Sequence, residues 1–199
     1  MRAHAALAAP LALLVQAQPV PEALTAHLKA TPLLHADFVQ TRRLAALSRP
    51  LKSSGNLVVS RELGVLWRME KPLRLTVALG PKGVAEVDAQ GNRKLQTAKD
   101  NAMAARMAGI MKSLLEGRWS GLEELFTVKG QGGPEAWTIL LEPRPQTAAF
   151  IKGVRIRGGA FVETIHVDEP SGDTTDIQFL RFNPGAPLTA EERRLLAFE

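Results

Sequence analysis

The sequence predicts a mainly β (α+β) protein, built on a long antiparallel meander of about ten strands that curls strongly. Two observations predict it. Apolar and polar residues alternate with period two along most of the chain, which is the strand signature. Turn-forming residues interrupt the alternation at short intervals, so consecutive runs fall in hairpin order. A third observation limits the alternatives: helical spacing is sustained over one internal stretch only. With 199 residues, 45 % of them apolar, and no repeat, linker or low-complexity segment, residues 18–199 are expected to form one domain. A sheet of this length either closes into a barrel or has its concave face covered by helices.

The N-terminus reads as an export signal. Arg2 supplies a positive start, and Ala5 to Val15 is an uncharged apolar run of 11 residues, too short to span a bilayer. "VQA" at 15–17 places small residues where a signal peptidase needs them, so residues 1–17 are expected to be removed after Ala17. "PEALTAHLKA" (21–30) predicts a short helix that starts at Pro21 and stops before Pro32.

Strands are then expected at 36–47, 55–60, 65–70, 73–79, 84–88 and 93–97. Within them Val65, Trp67 and Met69 point one way and Leu66, Arg68 and Glu70 the other, while Leu73, Leu75, Val77 and Leu79 share a face. "AQGN" (89–92) is a turn. Asp100 caps the internal helical stretch and Gly117 ends it. "SGLEELF" (120–126) has Ser120 and Glu123 at capping-box spacing and predicts a further short helix. Four more strands follow at 136–143, 150–157, 160–168 and 174–182. The tail at 187–198 predicts a last helix, with Thr189 as its cap and Glu191 and Glu192 in the first turn.

The internal helix gathers Met103, Met107 and Met111 every four positions, with Ile110 and Leu114 beside them. An ordinary amphipathic helix on a core explains that stripe, and so does a helix that faces a changeable apolar ligand, because Met fills irregular gaps.

Catalytic chemistry is hard to place. The chain has no Cys, which removes disulfides, thiolate metal sites and cysteine nucleophiles. His27, His35 and His166 are isolated, and there is no G-x-S-x-G, phosphate loop or dinucleotide fingerprint. "DEPSGDTTD" (168–176) is a hairpin turn rather than a calcium loop. The expectation is a non-enzyme with neither cofactor nor metal. Formal charge is +5, or +4 once Arg2 is removed with residues 1–17. Residues 42–82 hold nine basic side chains against Glu62 and Glu70, and residues 159–199 hold eight acids against three arginines. A basic half of this kind suits phosphates, which an exported protein meets on lipid headgroups.

The order of motifs resembles a known family. "ADFVQTRR" supplies Phe38 and Gln40 of an F-x-Q element, and "SGNLVVSRELGVLWRMEKP" supplies Gly55, Leu57, Val59, Arg61, Trp67 and Pro72 of a following G-x-L-x-(apolar)-x-R … W … P element. "AWTILLEP" and "VDEPSGDTTDIQFLRFN" resemble its later strand and hairpin. The whole mature chain is similar to the periplasmic outer-membrane lipoprotein carriers of the LolA-like family. Glu62 stands where the family usually has Pro after the motif arginine.

The resemblance implies an incomplete antiparallel barrel whose apolar cavity is covered by a lid of short helices. It also implies a monomer in the periplasm that carries an acylated lipoprotein or lipid between an inner-membrane transporter and an outer-membrane acceptor, with no role in nucleic-acid binding. A sensor of lipid or lipoprotein with the same fold, or a carrier of another acyl or glycolipid product, is the alternative. The residues expected to bind cargo or form the lid are Phe38, Leu57, Val59, Arg61, Trp67, Met69, Leu75, Val77, Met103, Met107, Ile110, Met111 and Leu114. The resemblance further implies that Arg61 governs lid opening.

Overall fold

The computed structural model describes residues 27–80, 83–96, 109–110, 112–113, 118–119 and 121–198. The expected signal peptide, most of the helix at 21–30, Ser120, and the methionine stripe with Leu114 lie outside them.

Eleven strands form one antiparallel sheet. In chain order they are β1 (Leu33–Arg43), β2 (Leu51–Ser60), β3 (Gly64–Lys71), β4 (Leu75–Gly80), β5 (Gly83–Asp88), β6 (Arg93–Gln96), β7 (Phe126–Gly133), β8 (Ala136–Pro143), β9 (Gly153–Gly158), β10 (Val162–Asp168) and β11 (Thr174–Pro184). Spatially the order runs β6-β5-β4-β3-β2-β1-β11-β10-β9-β8-β7. Two hairpin meanders are therefore joined along one seam, where β1 pairs with β11 from Leu34 opposite Pro184 to Arg43 opposite Thr174. Among the described residues, β6 and β7 are the two ends of the sheet and do not pair, so the sheet they form is not closed.

Ten of the strands fall where alternation predicts them, with ends that differ by a few residues. β1 begins and ends earlier than the expected 36–47, because residues 44–50 form its turn into β2. β7 is the additional strand. The expected helix at 120–126 is instead a run of turns, in which the Leu122 amide donates to the Trp119 carbonyl at 2.9 Å and the Phe126 amide to the Leu122 carbonyl at 2.8 Å. Phe126, fully buried, then opens β7. One short helix was not expected: α1 (Pro145–Ala148), which starts on Pro145.

The tail forms α2 (Ala190–Ala197) as predicted, with a reciprocal capping box. The Glu192 amide donates to the Thr189 hydroxyl at 3.2 Å, and the Thr189 amide donates to the Glu192 carboxylate at 2.8 Å. α2 lies on the outer face of the sheet. Leu196 packs there with Val58, Leu66, Ala78 and Ala85 from β2 to β5. That is why "LVVS" in β2 is buried on both faces, where simple alternation would leave one face wet.

The larger core is on the inner face, where Phe38, Leu57, Val59, Val65, Ile139, Ile156, Ile165 and Phe179 meet from seven strands. Gly55 marks a close approach of β2 and β3. A Cβ at that position would stand 1.8 Å from the Arg68 carbonyl oxygen, beside a register shift between Ser54 and Gly55. The glycine of the G-x-L element is thus dictated by backbone contact. Leu73 departs from its predicted face: it precedes β4 and is 74 % exposed.

Candidate apolar binding site

The inner face is built by strand parity. On β2, Leu57 and Val59 point inward, and Arg61, one step beyond the strand, continues the same row. On β3 the inward residues are Val65, Trp67 and Met69, and on β4 they include Val77 and Leu79. Phe38, Leu57, Val59 and Ile110 are buried in this cluster, and Trp67, Met69 and Val77 pack against it half-buried. Leu75, also half-buried, faces Met69 across the β3–β4 ladder. Among the described residues, the expected strand residues therefore share one face, Arg61 ends the β2 row, and Ile110 packs against it from outside the sheet.

Three aromatic rings form its centre. Phe38 and Trp67 lie 4.0 Å apart between centroids, and Phe179 meets the edge of Trp67 at 6.1 Å. Such contacts contribute roughly 0.5–1.5 kcal/mol each beyond the area they bury.

One end of the face is closed by Arg61. Its Nη2 donates to the Leu28 carbonyl at 2.7 Å and its Nε to the Thr31 carbonyl at 3.3 Å. The Arg61 amide donates to the Pro32 carbonyl at 3.1 Å. Leu28 and Thr31 end the helical turn at 27–30, where carbonyls have no partner inside the helix, so a guanidinium satisfies them well. Behind this clasp lies a cavity of about 20 Å³, lined by Leu28, Leu34, Leu57, Val59, Phe161 and Phe182 among others. Roughly one water fits that volume. Phe161 and Phe182 stack at 5.1 Å over its far side.

Leu28, Thr31, Phe161, Phe179 and Phe182 were not singled out from the sequence. Phe161 and Phe182 lie in a hairpin turn and at the far end of β11, and only the seam between the two meanders brings them to Arg61.

A second polar group sits on the outer face. Glu192, 4 % exposed, meets Arg68 Nη1 at 3.0 Å and His35 Nε2 at 3.4 Å. Burial opposes ionisation of Glu192 and is outweighed by the Thr189 amide, His35 and Arg68, which hold the carboxyl below the usual range. Further along the seam, His166 Nδ1 lies 2.6 Å from Asp176 and Nε2 lies 3.2 Å from Asp168. The bond to Asp176 is the main reason that the imidazole's pKa is raised above its ordinary value, against the effect of burial.

Comparison with known proteins gives a family. A model of proteins described as outer membrane lipoprotein carrier protein LolA-like matches residues 15–178. No curated protein sequence matches the chain. Among solved structures, a LolA superfamily protein, NE2245 from Nitrosomonas europaea, aligns with a TM-score of 0.48 at 5 % identity, over 87 % of this chain and 97 % of that one. A putative outer membrane lipoprotein-sorting protein domain from Vibrio parahaemolyticus aligns with a TM-score of 0.44 at 8 % identity, over 82 % and 91 %. The MucA/MucB complex of Pseudomonas aeruginosa aligns with a TM-score of 0.47 at 12 % identity, over 85 % of this chain, which spans only 57 % of that one. The family model covers most of the chain, and by that match this protein belongs to the LolA-like family.

Proposed function

We propose that this protein is a periplasmic carrier that shields the acyl chains of a lipoprotein or lipid in transit between the inner and outer membranes. The observation that carries the reading is the apolar inner face of an unclosed sheet, shut at one end by the Arg61 clasp. Each methylene moved from water into such an interior gains about 0.8 kcal/mol, so an acyl chain of about ten methylenes gains on the order of 8 kcal/mol. The cavity of about 20 Å³ is too small for such a chain, and in this proposal loading parts the segment at 27–31 from Arg61. A closed empty state and an open loaded state are then the two states that cargo must distinguish. Met103, Met107, Met111 and Leu114 belong, in this proposal, to the lid side of the same interior. An inner-membrane transporter and an outer-membrane acceptor are the proposed partners, and no reaction is catalysed.

Tryptophan quenching tests the reading. Delipidated protein titrated with brominated fatty acids should lose fluorescence, and Trp67→Phe should lessen that loss, because Trp67 packs against the interior while Trp119 and Trp137, in the same cluster, supply the rest. Wild-type protein that shows no quenching at saturating probe would contradict uptake by this interior.

A further inference from the structure

The positive charge of residues 42–82 is neutralised unevenly. Arg42 pairs with Glu169 at 3.3 Å and with Asp173 at 3.8 Å, Arg43 pairs with Asp176 at 2.6 Å, and Arg68 pairs with Glu192 at 3.0 Å. Arg61 is occupied by the Leu28 and Thr31 carbonyls, and Lys82 lies outside the described residues. Arg49, Lys52, Lys71 and Arg74 remain, all exposed, and none of their side chains has an acidic partner among the described residues.

All four stand on or beside two neighbouring turns. Leu51 lies opposite Arg42 in the β1–β2 pair, and Lys71 lies opposite Ser54 in the β2–β3 pair, so the β1–β2 and β3–β4 turns leave the sheet at the same end. Two strand spacings, about 10 Å, separate them. Residues 47–52 and 70–74 hold these four cations against Glu70 alone, a net of +3.

The same two turns carry leucines that the fold does not bury. Leu47 is 50 % exposed, Leu51 51 % and Leu73 74 %. Single exposed apolar side chains are ordinary. Three leucines interleaved with every cation described between residues 42 and 82 that lacks a partner are not, because scattered solvating charge has no reason to collect where apolar side chains collect. Apolar side chains that seek hydrocarbon, flanked by cations that seek phosphate, form the pattern of an interfacial membrane anchor. The interior also reaches this end: Leu51 has the inward parity of Leu57 and Val59, and Met69 and Leu75 are half-buried beside it.

We infer that the β1–β2 and β3–β4 turns dock this protein on the surface of an anionic phospholipid bilayer. Leu47, Leu51 and Leu73 enter the headgroup–acyl boundary while Arg49, Lys52, Lys71 and Arg74 contact lipid phosphates. The contact is peripheral and reversible, and it does not depend on cargo, so it holds for empty protein whether or not the carrier reading holds.

Co-sedimentation with vesicles tests it, using the full chain so that residues 1–17 are the same in every variant. Wild type should sediment with phosphatidylcholine–phosphatidylglycerol vesicles, much less with phosphatidylcholine alone, and less as salt is raised. Leu47→Asp combined with Leu73→Asp should lower vesicle binding by about tenfold or more. Leu95→Asp, an equally exposed leucine within β6, should leave it unchanged. Far-UV circular dichroism checks that each variant is folded. Wild type that stays in the supernatant with both vesicles overturns the inference, as does equal loss in the Leu95→Asp control. A dimer abolished by the Leu47/Leu73 substitutions, without vesicle binding, also overturns it and assigns these turns to a protein interface.

Discussion

Replacing Arg61 with Leu removes the clasp and keeps the apolar row. The variant leaves the Leu28 and Thr31 carbonyls without their charged donor, while the new side chain continues the line of Leu57 and Val59. A hydrogen bond from a charged group contributes about 1.5–3 kcal/mol. Arg61 is half-buried and its second bond is 3.3 Å long, so solvent screening puts the pair near 2–3 kcal/mol in all. That energy belongs to the closed state alone. Acyl binding competes with closure, so the variant should bind an acyl probe more tightly, by roughly 30-fold at 2 kcal/mol and roughly 150-fold at 3 kcal/mol. Release, which needs reclosure, should slow in proportion. Amides at 27–31 should exchange with deuterium faster by a similar factor, while those of β8 and β9, far from the clasp, keep their rates. Equal probe affinity together with unchanged exchange at 27–31 would refute the reasoning.

Three further outcomes follow from single contacts. Gly55→Ala should destabilise by about 3 kcal/mol or more, read by urea denaturation, because its Cβ would stand 1.8 Å from the Arg68 carbonyl oxygen and the strands must separate to admit it; a variant as stable as wild type would contradict the close approach. Glu192→Gln should cost about 2 kcal/mol at neutral pH, since it leaves Arg68 without its counter-charge and weakens the α2 cap. Because the Glu192 carboxyl titrates below its ordinary 4.5, its contribution is present above that value and is lost as pH falls through the lowered one, so wild type and variant should converge in acid. His166→Gln should behave in the opposite sense: the raised imidazole stabilises the fold below its ordinary 6.5, and that contribution fades as pH rises through the raised value, so the difference in Tm should be largest in acid and vanish in base.

The meander was legible because burial on one face imposes alternation. Trp67 and Met69 against Arg68 and Glu70 in β3 read directly as inside and outside. α2 was legible through Thr189 as its cap and the acids of its first turn, and the structure adds the reciprocal bond from the Thr189 amide to Glu192. What α2 packs on was not, because Val58, Leu66 and Ala78 break the alternation only in the presence of a helix placed there by the fold. β7 was missed for a local reason: "FTVKGQGG" has three glycines and little apolar contrast, and it is held as a strand by its pairing with β8. Arg61 was singled out through its place in a motif, yet the acceptors of its side chain are backbone carbonyls some 30 residues earlier, which no residue type announces. The residues that complete its pocket, Leu28, Phe161 and Phe182 among them, come from segments far apart in the chain, which the β1–β11 seam brings together.

An inner face that takes up acyl chains in the cell should leave the cell loaded. Native mass spectrometry of the protein purified from an envelope extract, without a delipidation step, tests it most directly. A carrier should show a mass above that of the polypeptide by one acylated species, removed by organic extraction and replaced on incubation with a fatty-acyl probe. Protein that emerges at the polypeptide mass and takes up no probe would contradict it.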